Sequence, residues 1–247
     1  MAKTNSNFQF RGSIGNLTFK QTKNGPIVCR KSSLTKHDID TRPEFELTRR
    51  QAAEFKTFTT SAAFFARVFK ARGAVADNAL HPRLVKLFNK ILKADNINAL
   101  GERKILPENL GLLKGVLFNK KAYAANQLNV DWDCDTVLGL HTATISSFNP
   151  WQTLELPNGT THLKLRLIGA VIDFHRQEAE AVATSTDLLR VEIDTGTTYL
   201  TVNLPPESAS PTILGLAIEF YQLGEREIYE MRAGKCNSFA IHKIITD

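Results

Sequence analysis

The sequence predicts an α+β protein: an N-terminal β-hairpin and a helical region, followed by an antiparallel β-sandwich or jelly-roll-like domain. Three observations carry that prediction. Asn24-Gly25 lies between two β-prone runs, a strong hairpin signal. Apolar residues recur at spacings of three and four between Thr48 and Ala94, as in amphipathic helices. Beyond Val130 the apolar period falls to two and turn residues recur regularly, the texture of a sandwich. The clearest strand is Ile213–Gln222, read ILGLAIEFYQ. Leu214, Leu216, Ile218 and Phe220 share one bulky apolar face, and Ile213, Gly215, Ala217 and Glu219 share a small one. Two such faces imply a sheet covered on both sides.

In chain order, residues 1–12 form a polar arm with Phe8 and Phe10. The hairpin follows, with Leu17 and Phe19 on one strand and Ile27 and Cys29 on the other. Pro26 lacks a donor and suits an edge. A hairpin alone is marginal in water, so this one needs a docking surface. Gly12-Ser13-Ile14-Gly15 has the GxxG spacing, but strands flank it, so turn chemistry explains it. Residues 31–46 read as an irregular connector. Thr48 is expected to cap a helix, with Gln51 completing a capping box and Gly73 ending it near Arg72. Phe55, Phe58, Ala62, Phe65 and Phe69 form its expected buried stripe, widened by Phe64 and Val68. A second helix is expected over Leu80–Ala94, buried through Leu80, Leu84, Leu87, Phe88, Ile91 and Leu92.

A loop over Asn98–Lys104, a short helix over Pro107–Lys114 and a turn of helix within Lys120–Leu128 complete the front half. Strands are then expected at Leu138–Ile145, Trp151–Leu156, Leu163–Phe174 with a phase slip at Gly169, Leu189–Ile193, Leu200–Leu204, Ile228–Met231 and Phe239–Ile245. The expected domains are 1–40, the arm and hairpin; 41–128, a basic helical region; and 129–247, an acidic β-sandwich.

Charge divides along the same line. Residues 1–128 carry 23 Lys and Arg against 9 Asp and Glu, a balance of +14; residues 129–247 carry 8 against 16, a balance of −8. Such asymmetry fits a polyanion partner or front-to-back contacts between copies; neutralisation within one molecule is the plainer alternative. The cations singled out as partner-binding are Arg49, Arg50, Arg83, Lys86, Lys90 and Lys93. Arg49 and Arg50 fall in a predicted first helical turn, where the dipole disfavours cations, so they require a partner: solvent, Glu46 or another molecule. Arg83, Lys86, Lys90 and Lys93 are spaced three, four and three, a stripe about 15 Å long on one helical face. A charge run is commonly just a solvated face, but a surface helix selected for solubility mixes its signs.

RGSIGNLTFKQTKNGPIVCRK, the TRRQAAEF helix start, LGLLKGVLFN, TTHLKLRLIGAVIDF and LGLAIEFYQ together resemble a family of uncharacterised Bacteroidetes proteins. The resemblance implies homology over most of the chain and a bacterial or phage setting. It carries no activity, cofactor or site residue.

Chemistry is scarce. Asp131, Asp133 and Asp135 open like a calcium loop, but Thr136 and Thr142 stand where Gly and Glu are needed. Cys29, Cys134 and Cys236 are too few and too far apart for a disulfide framework. Asp173 and His175 share a strand face with no visible nucleophile, so a cross-strand polar pair is the expectation. There is no P-loop, dinucleotide fingerprint, H-E-x-x-H or G-x-S-x-G. No enzyme, cofactor, metal or small-molecule substrate is expected. The start of the chain lacks an apolar signal region, and no run reaches the length of a bilayer span, so a cytoplasmic location is expected, with a virion or phage-like particle as an alternative. The functional expectation is a non-enzymatic structural protein that self-associates into a filament, ring or phage-like particle component. The alternative is a nucleic-acid-binding protein that uses its basic half.

Overall fold

A computed structural model describes residues 2–3, 11–31, 33–122, 132–205 and 210–246. The chain is α+β and its sheets are antiparallel. Two compact units meet at Gln51/Ala52.

The first unit, Met1–Gln51, holds a four-stranded sheet in the order β1-β4-β3-β2. Its strands are β1 (Ala2–Lys3), β2 (Gly12–Ile14), β3 (Leu17–Thr22) and β4 (Gly25–Arg30). Only the last residue of the GxxG is in a turn: Gly12–Ile14 is β2, while Gly15 has a positive φ of 56° and Ile14 pairs with Leu17 across it. The second turn uses Lys23 and Asn24, and Gly25 already begins β4. Among the described residues β1 pairs with Ile27 and Val28 and not with Pro26, which has no N–H to offer that edge. The expected connector contains a helix, α1 (Lys36–Thr41). A capping box, missed because it uses Asp in place of Glu, starts it: the Thr35 hydroxyl accepts from the Asp38 amide, and Asp38 accepts from the Thr35 amide.

A 3-10 turn at Pro43–Phe45 leads into α2 (Glu46–Lys70), so Thr48 is inside the helix and caps nothing. Proline at the first position of that turn starts the coil five residues before the expected cap, and α2 itself begins two residues before it. The unit boundary falls within α2.

The second unit, Ala52–Asp247, is layered. Its helices are the remainder of α2, α3 (Leu80–Lys93) and a 3-10 helix at Pro107–Leu113. Gly73, at φ 99°, stops the chain after α2. Phe58, Ala62, Phe64, Phe65, Val68 and Phe69 are buried as expected, but Phe55 is exposed and only stands edge-on to Phe58.

One sheet of this unit is built on two twelve-residue strands, β7 (His162–Asp173) and β11 (Thr212–Leu223). They pair from Thr212↔Val171 to Tyr221↔His162. β8 (Glu178–Ser185) and β9 (Leu189–Arg190) line the outer edge of β7; β12 (Ile228–Glu230) and β13 (Ser238–Ile245) line that of β11. A smaller sheet runs β10-β6-β5, from β5 (Trp132–Val137), β6 (Leu140–Ile145) and β10 (Thr198–Asn203).

The two faces of β11 part as their periodicity requires. Leu214, Leu216, Ile218 and Phe220 enter a core between the two sheets, with Trp132, Ala143, Ile145, Leu200 and Val202 opposite. Ile213 and Ala217 enter a second core, with Phe65, Phe69, Leu84, Phe88 and Phe118 from the helical side. The structure is therefore helices on one sheet face and a second sheet on the other, an α+β arrangement with a sandwich-like half. The helical region and the strands after it share a core, whereas the sequence divides them at residues 128 and 129.

β7 has no phase slip. Leu163, Leu165, Leu167 and Val171 keep one face throughout; Ile168, Ala170 and Ile172 are buried on the other because helices cover that end of the strand. Gly169 marks close sheet-to-sheet packing: a Cβ there would lie 2.9 Å from Leu214 Cδ2 and 3.0 Å from Val202 Cγ2. The irregular register is instead between Leu214 and Gly215, against β13.

Several strand expectations change. Trp132–Val137 forms β5, a strand not expected, and Leu138 and Gly139 make the turn into β6 where the strand was expected to begin. Trp151–Leu156 begins with a helical turn, α4 (Pro150–Thr153), because Pro150 follows Asn149, whose side chain accepts from the Gln152 amide. The Leu189–Ile193 strand shrinks to β9, and Ile193 is exposed. β8 is an added strand, hidden in a glutamate–alanine alternation, EAEAVATS. A last four-residue helix, α5 (Ala233–Cys236), precedes β13. The expected turn of helix within Lys120–Leu128 lies mostly outside the described residues.

Glu219, the polar member of the small face of β11, is buried and fully engaged. Arg166 donates to its two oxygens at 2.6 and 3.2 Å, and the Tyr221 hydroxyl donates at 2.9 Å. Burial and the Glu219 charge together push the Tyr221 hydroxyl far above its ordinary pKa.

Candidate cationic groove

The six cations singled out in the sequence are divided between the two units. Arg49 lies in the first unit, where it donates to the Ile39 and Arg42 carbonyls at 2.7 and 2.9 Å. These carbonyls stand in and just after α1, so the guanidinium meets the negative end of a helix. That is the partner its position demanded, and it is internal. Arg50 pairs with Glu46, four residues earlier, in an exposed salt bridge.

In the second unit, Arg83 is also committed. Its Nη1 donates to both oxygens of Asp77 at 2.8 and 2.9 Å, and its Nη2 donates to the Leu117 and Phe118 carbonyls at 3.0 and 3.2 Å. Asp77 further accepts from the Ala79 and Lys120 amides. Burial pushes the Asp77 carboxyl up, but the hydrogen bonds from Arg83, Lys120 and Ala79 outweigh it and hold it below the usual aspartate range.

This clamp holds residues 115–118 as an extra edge on β13. Gly115 and Phe118 donate to the Ile241 and Phe239 carbonyls, and Ile241 donates back to Val116. The stretch follows the 3-10 helix and runs beside α3. Between them lies an open groove of about 260 Å³.

The groove has a distinct composition. Its cations are Arg83, Lys86, Lys90, Lys114 and Lys120, and no carboxylate lines it. Lys86, Lys90, Lys114 and Lys120 are exposed. Its floor is aliphatic: Leu84, Leu87, Leu112, Val116 and Leu117. Lys93, the end of the predicted stripe, is exposed but lies outside the lining. Sequence reasoning missed Lys114 and Lys120, which flank the apolar run Gly115–Asn119 about thirty residues from α3. Their signal is a lysine at each end of an apolar run; only the docking on β13 brings them opposite Lys86 and Lys90. At this volume the groove holds a few side chains and is smaller than the roughly 300–1,000 Å³ of ordinary small-ligand pockets.

The remaining sequence candidates have structural roles. Asp173 Oδ1 accepts from the His175 and Arg176 amides and so shapes the β7–β8 turn. Asp133 and Asp135 are exposed on β5, a strand where a calcium loop needs a turn; Asp131 lies outside the described residues. Among the described residues, no group of three His, Cys, Asp or Glu side chains is arranged to hold a metal. Cys29, Cys134 and Cys236 are free thiols, and burial pushes the last two up. Among the described residues, no helix is long and apolar enough to cross a membrane.

Fold and groove together define an α+β protein whose most distinctive surface is an acid-free basic groove with an aliphatic floor. Comparison with known proteins finds no family model that matches the chain and no match among curated proteins.

Proposed function

We propose that this is a non-enzymatic structural protein that associates with further copies of itself, with its first unit as a docking element. One observation carries the reading. The first unit contains a four-stranded sheet, yet none of its described residues from Arg11 to Gln51 is buried. The sheet is nonetheless amphipathic. Cross-strand pairing puts Ile14, Leu17, Phe19 and Val28 on one face, with Gln21 and Arg30 at its margins, and Ser13, Thr18, Lys20 and Cys29 on the other, with Ile27 its one large apolar residue among the described strands. Ile14 is 67% exposed and Leu17 46%. Small sheets need a covered hydrophobic face to be stable, and a second copy supplies one. The resemblance to a Bacteroidetes family fits a cytoplasmic or phage-like particle component.

The test is the mass of the full chain in solution over a range of concentrations, compared with Ile14→Ser/Leu17→Ser. The expected result is a concentration-dependent assembly that the double variant loses while its second unit still unfolds cooperatively. A full chain that stays monomeric throughout would end this reading.

A second reading, nucleic-acid binding, is favoured by the acid-free lining of the groove. Lysines placed on phosphates bind without reading sequence, and each contact contributes a slope of about −0.9 in log K against log salt. The floor weighs against it. Five aliphatic side chains and no aromatic offer bases nothing to stack on.

A further inference from the structure

We infer that the groove receives the β11–β12 hairpin of a second copy of this chain, residues 223–230. This rests on the self-association reading and names its second contact. Three properties of the groove define its occupant. Four exposed lysines suit a partner with anionic groups, which a protein supplies as carboxylates. Aliphatic residues in the floor require apolar side chains between those carboxylates. The small volume requires a narrow element such as a turn, since a whole helix is too wide.

The chain carries such an element. β11 and β12 pair only over Tyr221↔Glu230, Gln222↔Tyr229 and Leu223↔Ile228, and the chain turns at Gly224–Glu227. Glu225 and Glu227 are exposed at that turn on either side of Arg226, also exposed, so the tip keeps a net negative charge. Leu223 and Tyr229 flank it at 55% and 56% exposure, so two large apolar side chains are open at the hairpin end. Acids at the tip with apolar residues behind them complement lysines at a rim with leucines beneath. Gly224 keeps the turn compact: a Cβ there would come within 2.7 Å of the Tyr229 ring.

Groove and hairpin occupy different places on one molecule, so the contact is head-to-tail. Such contacts close into rings or run on as filaments. One hairpin in one groove is too small for a stable interface on its own, which needs about 1,000 Å². The contact therefore sets direction and register while the first unit supplies further area.

Charge exchange tests this in the full chain. Lys86→Glu/Lys90→Glu sets two carboxylates against the three remaining cations of the groove, and Glu225→Lys/Glu227→Lys makes the hairpin basic. All four positions are exposed, and far-ultraviolet circular dichroism with thermal melting checks that each variant is folded. Each double variant alone should lose at least tenfold in the association constant measured by sedimentation at low salt. The quadruple variant should regain assembly, and so should an equimolar mixture of the two double variants, because the reversed groove positions can then meet a reversed hairpin. Assembly that persists unchanged in both double variants would leave the self-association reading standing and overturn the hairpin-in-groove contact. Loss in the groove variant with no recovery in the quadruple variant would also overturn it. If the groove variant assembles normally but loses affinity for a 20-base-pair DNA duplex, the groove is a nucleic-acid site and the inference is wrong.

Discussion

Arg83 links Asp77 to the Leu117 and Phe118 carbonyls, so one guanidinium fastens the start of α3 to the strand that forms the far wall of the groove. The Asp77 side chain is 4% exposed and that of Arg83 27%. This cation is therefore structural, though it lies in line with three lysines that are not. Arg83→Ala is expected to destabilise the protein by about 2–3 kcal/mol, because it leaves a buried carboxylate and two carbonyls with fewer donors. Arg83→Lys should recover little, since a single ammonium cannot reproduce the fork. Urea denaturation measures both. Faster amide exchange at Val116 and Phe118 in the alanine variant would place the damage at the groove wall.

Gly169 sits where side chains of the facing sheet leave no room for a Cβ. Gly169→Ala should cost about 1–3 kcal/mol through overpacking against Leu214, Val202 and Leu204. Gly215→Ala should cost more, because the added methyl meets the Phe239 ring and the Ala240 carbonyl, and backbone yields less readily than a side-chain end. Thermal melts rank the two; equal melting temperatures would contradict the argument.

Stability should fall with acid in two stages. Burial lowers the pKa of His141 and of His242, with Lys243 adding to both and Lys114 to His242. A depressed pKa means the unfolded chain takes up the proton first, so this stability is present above the ordinary histidine value, about 6.5, and is lost as pH falls below it. The second stage belongs to Asp77 and Asp95. The Asp95 carboxyl is held far below its usual range, chiefly by the Lys104 amide and then by Asn98 and Ile97. Their contribution is complete above about pH 4 and is lost as pH falls through their depressed values. Denaturant midpoints at pH 7.5, 5.5, 4.0 and 2.5 trace both stages, and His141→Gln should shrink only the first.

Residues 130–247 should not fold independently. Without the helices, Ile168, Ile172, Ile213, Phe239 and Ile241 lose the layer that buries them. The expected product keeps strand signals in circular dichroism, binds a hydrophobic dye and melts without a cooperative transition. A sharp transition would show that the sandwich half holds together without that layer.

The sequence by itself determined the faces. A strand alternates sides every residue whatever lies around it, so ILGLAIEFYQ announced one bulky face and one small one, and each entered its own core. The stripe of Phe58, Phe65 and Phe69 was legible for the same local reason, at the period of a helix. What covered each face was decided only in three dimensions. β7 showed an apparent phase slip because helices cover one side of it from Ile168 onward, and a layer added from a distant segment leaves no periodic mark of its own. Tertiary structure likewise decided the charges. Arg49 and Arg83 looked like partners for another molecule, yet carbonyls at Ile39 and Leu117 had already claimed them, while Lys114 and Lys120 joined Lys86 and Lys90 across a groove that exists only because residues 115–118 dock on β13. Backbone period is a property of neighbours in the chain and can be read from it. Hydrogen bonding and charge pairing depend on which atoms come within about 3 Å of each other, and that is fixed only when the layers pack.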